Sequence, residues 1–433
     1  MRRCPFLLIV PFLVASLSGA AAAQVRSTIV GPGVTRYPIA VAALKQISLG
    51  AGETFGRVLA RDLELSGLFR VLPSDTYIEP SQTSGVSAES INFDNWSVIG
   101  ALAVIKGTAE RQGSELTAEV RLFDVGQRRQ LAGRRFRGTT GDEARMANRF
   151  ADEVIATFTG ERGPFDSQIA FLSTRGGRFK DLYLMAADGE GTRRVTNENT
   201  LNLSPAWAPD GRSLLLTSYR GGNPDLFTIA LPRGAWSRLS SLKGLNLGGR
   251  WSPDGREIAV TLEYDGNPEI GVLDANGALL RRLTDHWAVD VSATWSPDGA
   301  QLAFCSDRSG APQIYVMDAD GRGVRRVSTA GNYNTSPAWS PKGDRIAYAT
   351  RSGGRFQIVT VKTDGSDARQ VTGVGSNEDP AWSPDGRYLV FSSKRGGAAK
   401  LYLSDLSGAN QAELTTAGGS DTSPAWSGWL ERP

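Results

Sequence analysis

Tryptophans at positions 207, 251, 295, 339, 382 and 426 recur at steps of 44, 44, 44, 43 and 44 residues. A fixed period of about 40–45 residues is the mark of stacked supersecondary units and matches four-stranded propeller blades. Three of the tryptophans open the sequence Trp-Ser-Pro-Asp-Gly, at 251–255, 295–299 and 382–386, and close variants stand at 207 (WAPDG) and 339 (WSPKG). Proline presets φ for the second place of a type I turn, aspartate suits the third, and glycine closes it. An apolar alternating run follows each turn, then a glycine-containing bend, a second run, an Asp-Gly turn and a short basic run. Strand, turn, strand, turn, strand, turn, strand is one meander. The tryptophan ahead of the turn is a large flat filler for the wedge between neighbouring blades. An aspartate written this many times over is a turn residue; a catalytic acid is needed once.

The ends of the array are unequal in a complementary way. The first second-strand, Gln168–Ser173, has no Trp strand before it, and the last Trp strand, "TSPAWS" at 422–427, has no second strand after it. Two half-units make one blade. The expectation is a six-bladed ring whose C-terminal strand joins the first blade, which removes the open sheet edges.

Nothing before residue 160 follows the period. Residues 1–23 read as a signal peptide: Arg2 and Arg3, an apolar stretch too short to span a bilayer, and small residues up to Ala23, with cleavage between Ala23 and Gln24. Both the general secretory and the twin-arginine routes fit it. The expected layout is an α/β domain at 24–160, a linker at 161–165 and the propeller at 166–433. Within the first domain the pattern predicts a strand at 37–44, a helix at about 53–66, a short strand at 69–73, three alternating strands between 101 and 138, and an amphipathic helix closing the domain. The cluster "QRRQLAGRRFR" reads as a solvated strand face.

The residue inventory excludes several chemistries. Lys and Arg number 48 against 45 Asp and Glu, so there is no basic field for nucleic acid. After the signal only Cys305 remains, in an apolar run, which implies a buried inert thiol and no disulfide. His286 is the single histidine. No Gly-x-Ser-x-Gly, no phosphate-cradling loop and no histidine-rich metal set occurs, so no cofactor is expected. Acids in irregular loops (Asp265, Asp290, Glu378, Asp379, Asp421) leave open an exported hydrolase or lyase with carboxylates at the channel mouth. The loops offer a different lead. Successive turns of a meander alternate between the two ends of a blade. The Ser-Pro-Asp-Gly and Asp-Gly turns therefore share one monotonous face. The bends and blade-to-blade loops share the other, and there the sequence varies from unit to unit. Variation of that kind suits one asymmetric partner, so the residues point to a non-catalytic protein-binding propeller.

An exported α/β domain followed by six "SPAWSPDGxxLAF"-type units, ending in "SPAWSGWL" with no hydrolase domain, resembles the TolB family, the periplasmic propellers of the Tol-Pal system. The resemblance covers essentially the whole mature chain. It implies a monomeric periplasmic adaptor without cofactor or membrane span, supporting outer-membrane integrity and envelope constriction in cell division. Its implied partners are the lipoprotein Pal, on the varied propeller face, and the C-terminal domain of TolA, at the mature N-terminus. The TolA segment would be Gln24, Val25, Arg26, Ser27, Thr28, Ile29, Val30, Gly31, Pro32 and Gly33, whose alternation suits addition to a sheet edge. The Pal face would be centred on Leu245, Asn246, His286, Asp290, Val291, Tyr333, Asn334 and Asp379. "GGRW" at 248–251 departs from the "SPAW" of other units.

Overall fold

The computed structural model describes residues 36–430. The expected signal peptide, the expected cleavage site and the segment 24–33 lie outside the described residues.

Residues 36–160 build one mixed sheet. Its strands run in the order Phe69–Val71, Tyr37–Val41, Ala103–Gln112, Glu115–Asp124, Arg129–Thr139, with Lys45–Gln46 beside Ala103–Gln112. Helices α1 (Glu53–Leu65) and, near the C-terminal end of the domain, Glu143–Thr159 cover one face. Phe55, Val58, Leu59 and Leu63 recur at helical spacing along α1 and are buried there. The opposite face is covered by the stretch between 72 and 101, which contains the short helix α2 (Phe93–Val98); the longer helix is therefore α3. Sequence periodicity missed α2, because Phe93 and Trp96 are its only buried apolar anchors, with Ile91 just ahead of it. Under that layer lies Lys106, buried, paired with Glu79 at 2.6 Å and set over the Trp96 ring. The arginine cluster is largely paired: Arg128 with Asp94, Arg134 with Glu153, Arg135 with Glu119.

The remainder is a ring of six four-stranded antiparallel sheets. In chain order the inner strands of blades two to six are Asn202–Trp207, Asn246–Trp251, Asp290–Trp295, Asn334–Trp339 and Asn377–Trp382. The first blade is composite: Asp421–Trp426 pairs with Gln168–Ser173, so both ends of the array meet in one sheet. Ser427 Oγ accepts the Gln168 amide across 259 residues of chain.

The repeated residues join the blades. In each full copy the glycine N–H returns to the serine carbonyl at 2.9 Å, and Gly255, Gly299 and Gly386 have φ of 70°, 72° and 67°. The aspartate accepts from the serine hydroxyl and from the amide after the glycine, as at Asp298 (2.5 and 3.0 Å). Those donors hold the Asp298 carboxyl below the usual carboxylate range. The indole of Trp207, Trp295 and Trp382 donates to a carbonyl of the preceding blade's inner strand, at 3.0, 3.1 and 2.9 Å. At the end of the basic run, a Ser or Thr hydroxyl caps the third strand of its own blade, as Thr284 does for the Ile270 amide at 2.9 Å.

The α/β domain sits on the monotonous face. Tyr388 Oη donates to Ser66 O at 2.9 Å, Arg61 Nε to Asp188 O at 2.9 Å, and Lys342 pairs with Glu161 at 2.7 Å. That face is therefore an interdomain surface, a role its uniform turns did not reveal.

Candidate functional site

Each inner strand begins with Asn or Asp five places before its tryptophan: Asn202, Asn246, Asp290, Asn334, Asn377 and Asp421, all at 0% exposure. These side chains staple the varied loops from beneath. Asn246 donates to Leu242 O at 2.6 Å and accepts the Leu242 amide; Asn334 donates to Ala330 O at 2.9 Å. Asp290 is held by Arg308 at 2.7 Å, and Asp421 by Arg175 at 2.7 Å. Burial is the largest influence on the Asp290 carboxyl and raises its pKa, with Ser306 and Arg308 opposing it. Three residues expected on the partner face, Asn246, Asp290 and Asn334, are thus under it. Their recurrence in every unit was the available signal: repetition marks carpentry here as it does in Trp-Ser-Pro-Asp-Gly.

Among polar neighbours the face exposes large apolar side chains. Leu201, Leu242, Trp287, Val289, Tyr333 and Val374 precede five successive inner strands, and Trp287 is 74% and Val374 66% exposed. They are six of the ten large exposed hydrophobics that the described propeller residues carry, so the apolar surface is concentrated on this rim. Exposed apolar side chains gathered on one face are a common mark of a protein-docking surface. His286 lies at the rim with its ring 5.2 Å from that of Trp287, and its Nδ1 accepts the Ala288 amide at 3.1 Å. Leu245 and Val291 are half-buried. Tyr333, 38% exposed, stacks edge-on against Phe356.

Asp379 lies elsewhere. It occupies the third place before Trp382, where the inner strand bulges and the backbone turns left-handed (φ 55°). The other blades place Ser204, Gly248, Ser292, Ser336 and Ser423 there, all with positive φ. This ring lines a central cavity of about 550 Å³. Ser336 and Ser423 donate to the two Asp379 oxygens at 3.0 and 3.1 Å. The "GGRW" departure puts Arg250 into the same cavity.

The five acids considered for carboxylate chemistry do not converge. Asp290 and Asp421 are consumed by arginines, Glu378 faces Lys394, Asp265 forms a hairpin turn with φ 51°, and Asp379 stands by itself in the channel. Among the described residues no group of three His, Cys, Asp or Glu is arranged to hold a metal ion. Cys305 is buried, and burial pushes its thiol up to about 12. No helix of the described residues is long and apolar enough to cross a membrane.

Comparison with known proteins fits this architecture. Residues 155–430 match the family model described as the TolB beta propeller domain, and 25–131 match the TolB amino-terminal domain. A Tol-Pal system protein TolB of Syntrophotalea carbinolica is 42% identical over 158 residues, 36% of each chain. One of Syntrophus aciditrophicus is 41% identical over 228 residues, 49% of this chain and 48% of its own. In these alignments the chain spans less than half the length of the curated relatives it matches. The crystal structure of TolB from Acinetobacter baumannii superposes with a TM-score of 0.82 at 25% identity, covering 91% of this chain and 97% of that one.

Proposed function

Because this chain belongs to the TolB family, we propose that it is a non-catalytic adaptor of the Tol-Pal system, acting as a monomer in the periplasm. It binds Pal through the varied propeller face and supports outer-membrane integrity and envelope constriction during cell division. The observation that carries this reading is the apolar rim around the channel mouth, held rigid from below by the buried Asn and Asp staples. A preorganised rim loses little side-chain entropy on docking. Trp287 is its most exposed large ring, and aromatic anchors of this kind dominate docking energy. The proposed Pal surface is therefore Leu245, His286, Val291 and Tyr333 together with Trp287 and Val374. Asn246, Asp290 and Asn334 position it, and Asp379 lies below it in the channel. The mature N-terminus, Gln24–Gly33, is proposed to engage the C-terminal domain of TolA. Its alternating sequence suits strand addition.

The test is titration of the purified mature protein with Pal. Binding with a micromolar or tighter Kd is expected. Trp287→Ala should weaken it by at least about tenfold, roughly 1.4 kcal/mol, with the melting temperature unchanged. A wild-type protein that shows no binding at micromolar concentration overturns the adaptor reading.

A further inference from the structure

Superposing the inner strands by their tryptophans isolates two residues. Three places before the tryptophan the ring is Ser204, Gly248, Ser292, Ser336, Asp379, Ser423. One place before it stand Ala206, Arg250, Thr294, Ala338, Ala381, Ala425. Both tiers line the central cavity, and among the described residues Arg250 and Asp379 are the only charged ones lining it. They are opposite in sign. Arg250 belongs to the third blade and Asp379 to the sixth, three blades apart in a ring of six, so they stand on facing walls.

They do not meet in a direct ion pair. Among the described residues Arg250 makes no ion pair. Its Nη1 donates to Gly249 O at 3.1 Å and Ser204 O at 3.4 Å, and no carboxylate meets the rest of the guanidinium. Burial is the main influence on this group and lowers its proton affinity, with the Asp379 charge acting the other way. Asp379 is aimed by hydroxyls from the blades on either side and, among the described residues, makes no ion pair. A cation and an anion held apart in a confined polar space each retain unmet demand for a counter-charge. A guanidinium presents paired donors suited to a carboxylate, and an aspartate accepts from an ammonium. A cavity of about 550 Å³ lies within the usual ~300–1,000 Å³ of small-molecule sites.

We propose that the channel binds a small zwitterion, a free amino acid or short peptide, with its carboxylate on Arg250 and its ammonium on Asp379. The site lies inside the ring and does not rest on the docking face proposed above.

The repeat itself supplies suitable variants. Arg250→Ala installs the residue that four other blades carry at that place, and Asp379→Ser the residue that four others carry at theirs, so both fit the ring. The mature protein and both variants are titrated calorimetrically and melted with alanine, alanyl-alanine, succinate and putrescine. Each ligand is taken to about 10 mM, which would detect Kd values near 1 mM. Expected is saturable binding and a raised melting temperature with alanine, alanyl-alanine or both, the pair identifying which size is taken. Arg250→Ala should abolish binding and Asp379→Ser should weaken it roughly tenfold. Three results would overturn the proposal: no response of the folded wild type to either zwitterion, binding that survives in Arg250→Ala, or equal affinity for succinate that is indifferent to Asp379→Ser.

Discussion

Asp290 shows how a residue's neighbours decide what its charge can do. Fully buried and bonded to Arg308 at 2.7 Å, it is a strut, and charge reversal would place two cations against each other without water. Asp290→Lys is expected to cost about 3–5 kcal/mol, seen as a large fall in melting temperature. Asp290→Asn installs the residue that four other blades carry in that position and should be far milder. Asp62 makes a second case. It is fully buried, the Asn148 amide donates to its Oδ2 at 3.0 Å, and its Oδ1 has no partner. Burial raises its pKa well above the ordinary range, with Asp188 and Asp152 adding to the effect. Burial likewise pushes Asp152 up to about 7. A carboxyl raised in the folded state binds its proton there first. The native state is thus favoured fully below the unfolded pKa near 3.8, and that advantage fades as pH rises through the folded value. Asp62→Asn should therefore raise the melting temperature at pH 8 by roughly 2–4 °C, and the gain should shrink in acid. A gain that grows in acid contradicts this. At this scale the sequence disclosed chemistry by repetition. Asp379 and the "GGRW" departure stand out in the sequence, but that Arg250 and Asp379 share one cavity is seen only in the folded ring.

The elements were legible in proportion to their periodicity. Helices α1 and α3 and the long strands follow apolar spacing closely. The stretch 72–101 does not, since its few anchors are placed by the sheet they cover. The turn glycines add a layer invisible to turn rules. A Cβ at Gly277 would lie 1.9 Å from Leu239 O of the neighbouring blade, and at Gly408 2.1 Å from Val371 O. These glycines exist for contact between blades as well as for φ. Gly266, with φ 84° and open space around it, is the control. Gly266→Ala should cost on the order of 1 kcal/mol from backbone strain. Gly277→Ala, with φ 88° and a carbonyl in the way, should cost distinctly more, as read from urea midpoints. Equal losses would mean that the blades shift apart freely.

At the level of the whole molecule, the ring and its closure were readable because two half-units summed to one blade. The docking of the α/β domain was not, because the contacts that make it, such as Tyr388 to Ser66 O, are between residues that are unremarkable in either domain alone. Removing residues 420–433 deletes the inner strand of the first blade, Asp421–Trp426. It also deletes the Trp429 indole's bond to Gly163 O at 2.8 Å. Loss of cooperative thermal unfolding is expected by circular dichroism, and a truncated protein that melts as sharply as the full chain would refute the closure.

That same pairing sets a timetable. A strand near residue 168 waits for a partner 259 residues further on, and bringing such distant segments together costs roughly 5 kcal/mol of chain entropy. Until that strand arrives, the first blade is a three-stranded sheet whose inner edge, Gln168–Ser173, lies open to any passing strand. Maturation of this protein thus hinges on the arrival of residues 421–427, and a delay there, more than slow formation of any single blade, is when aggregation would begin.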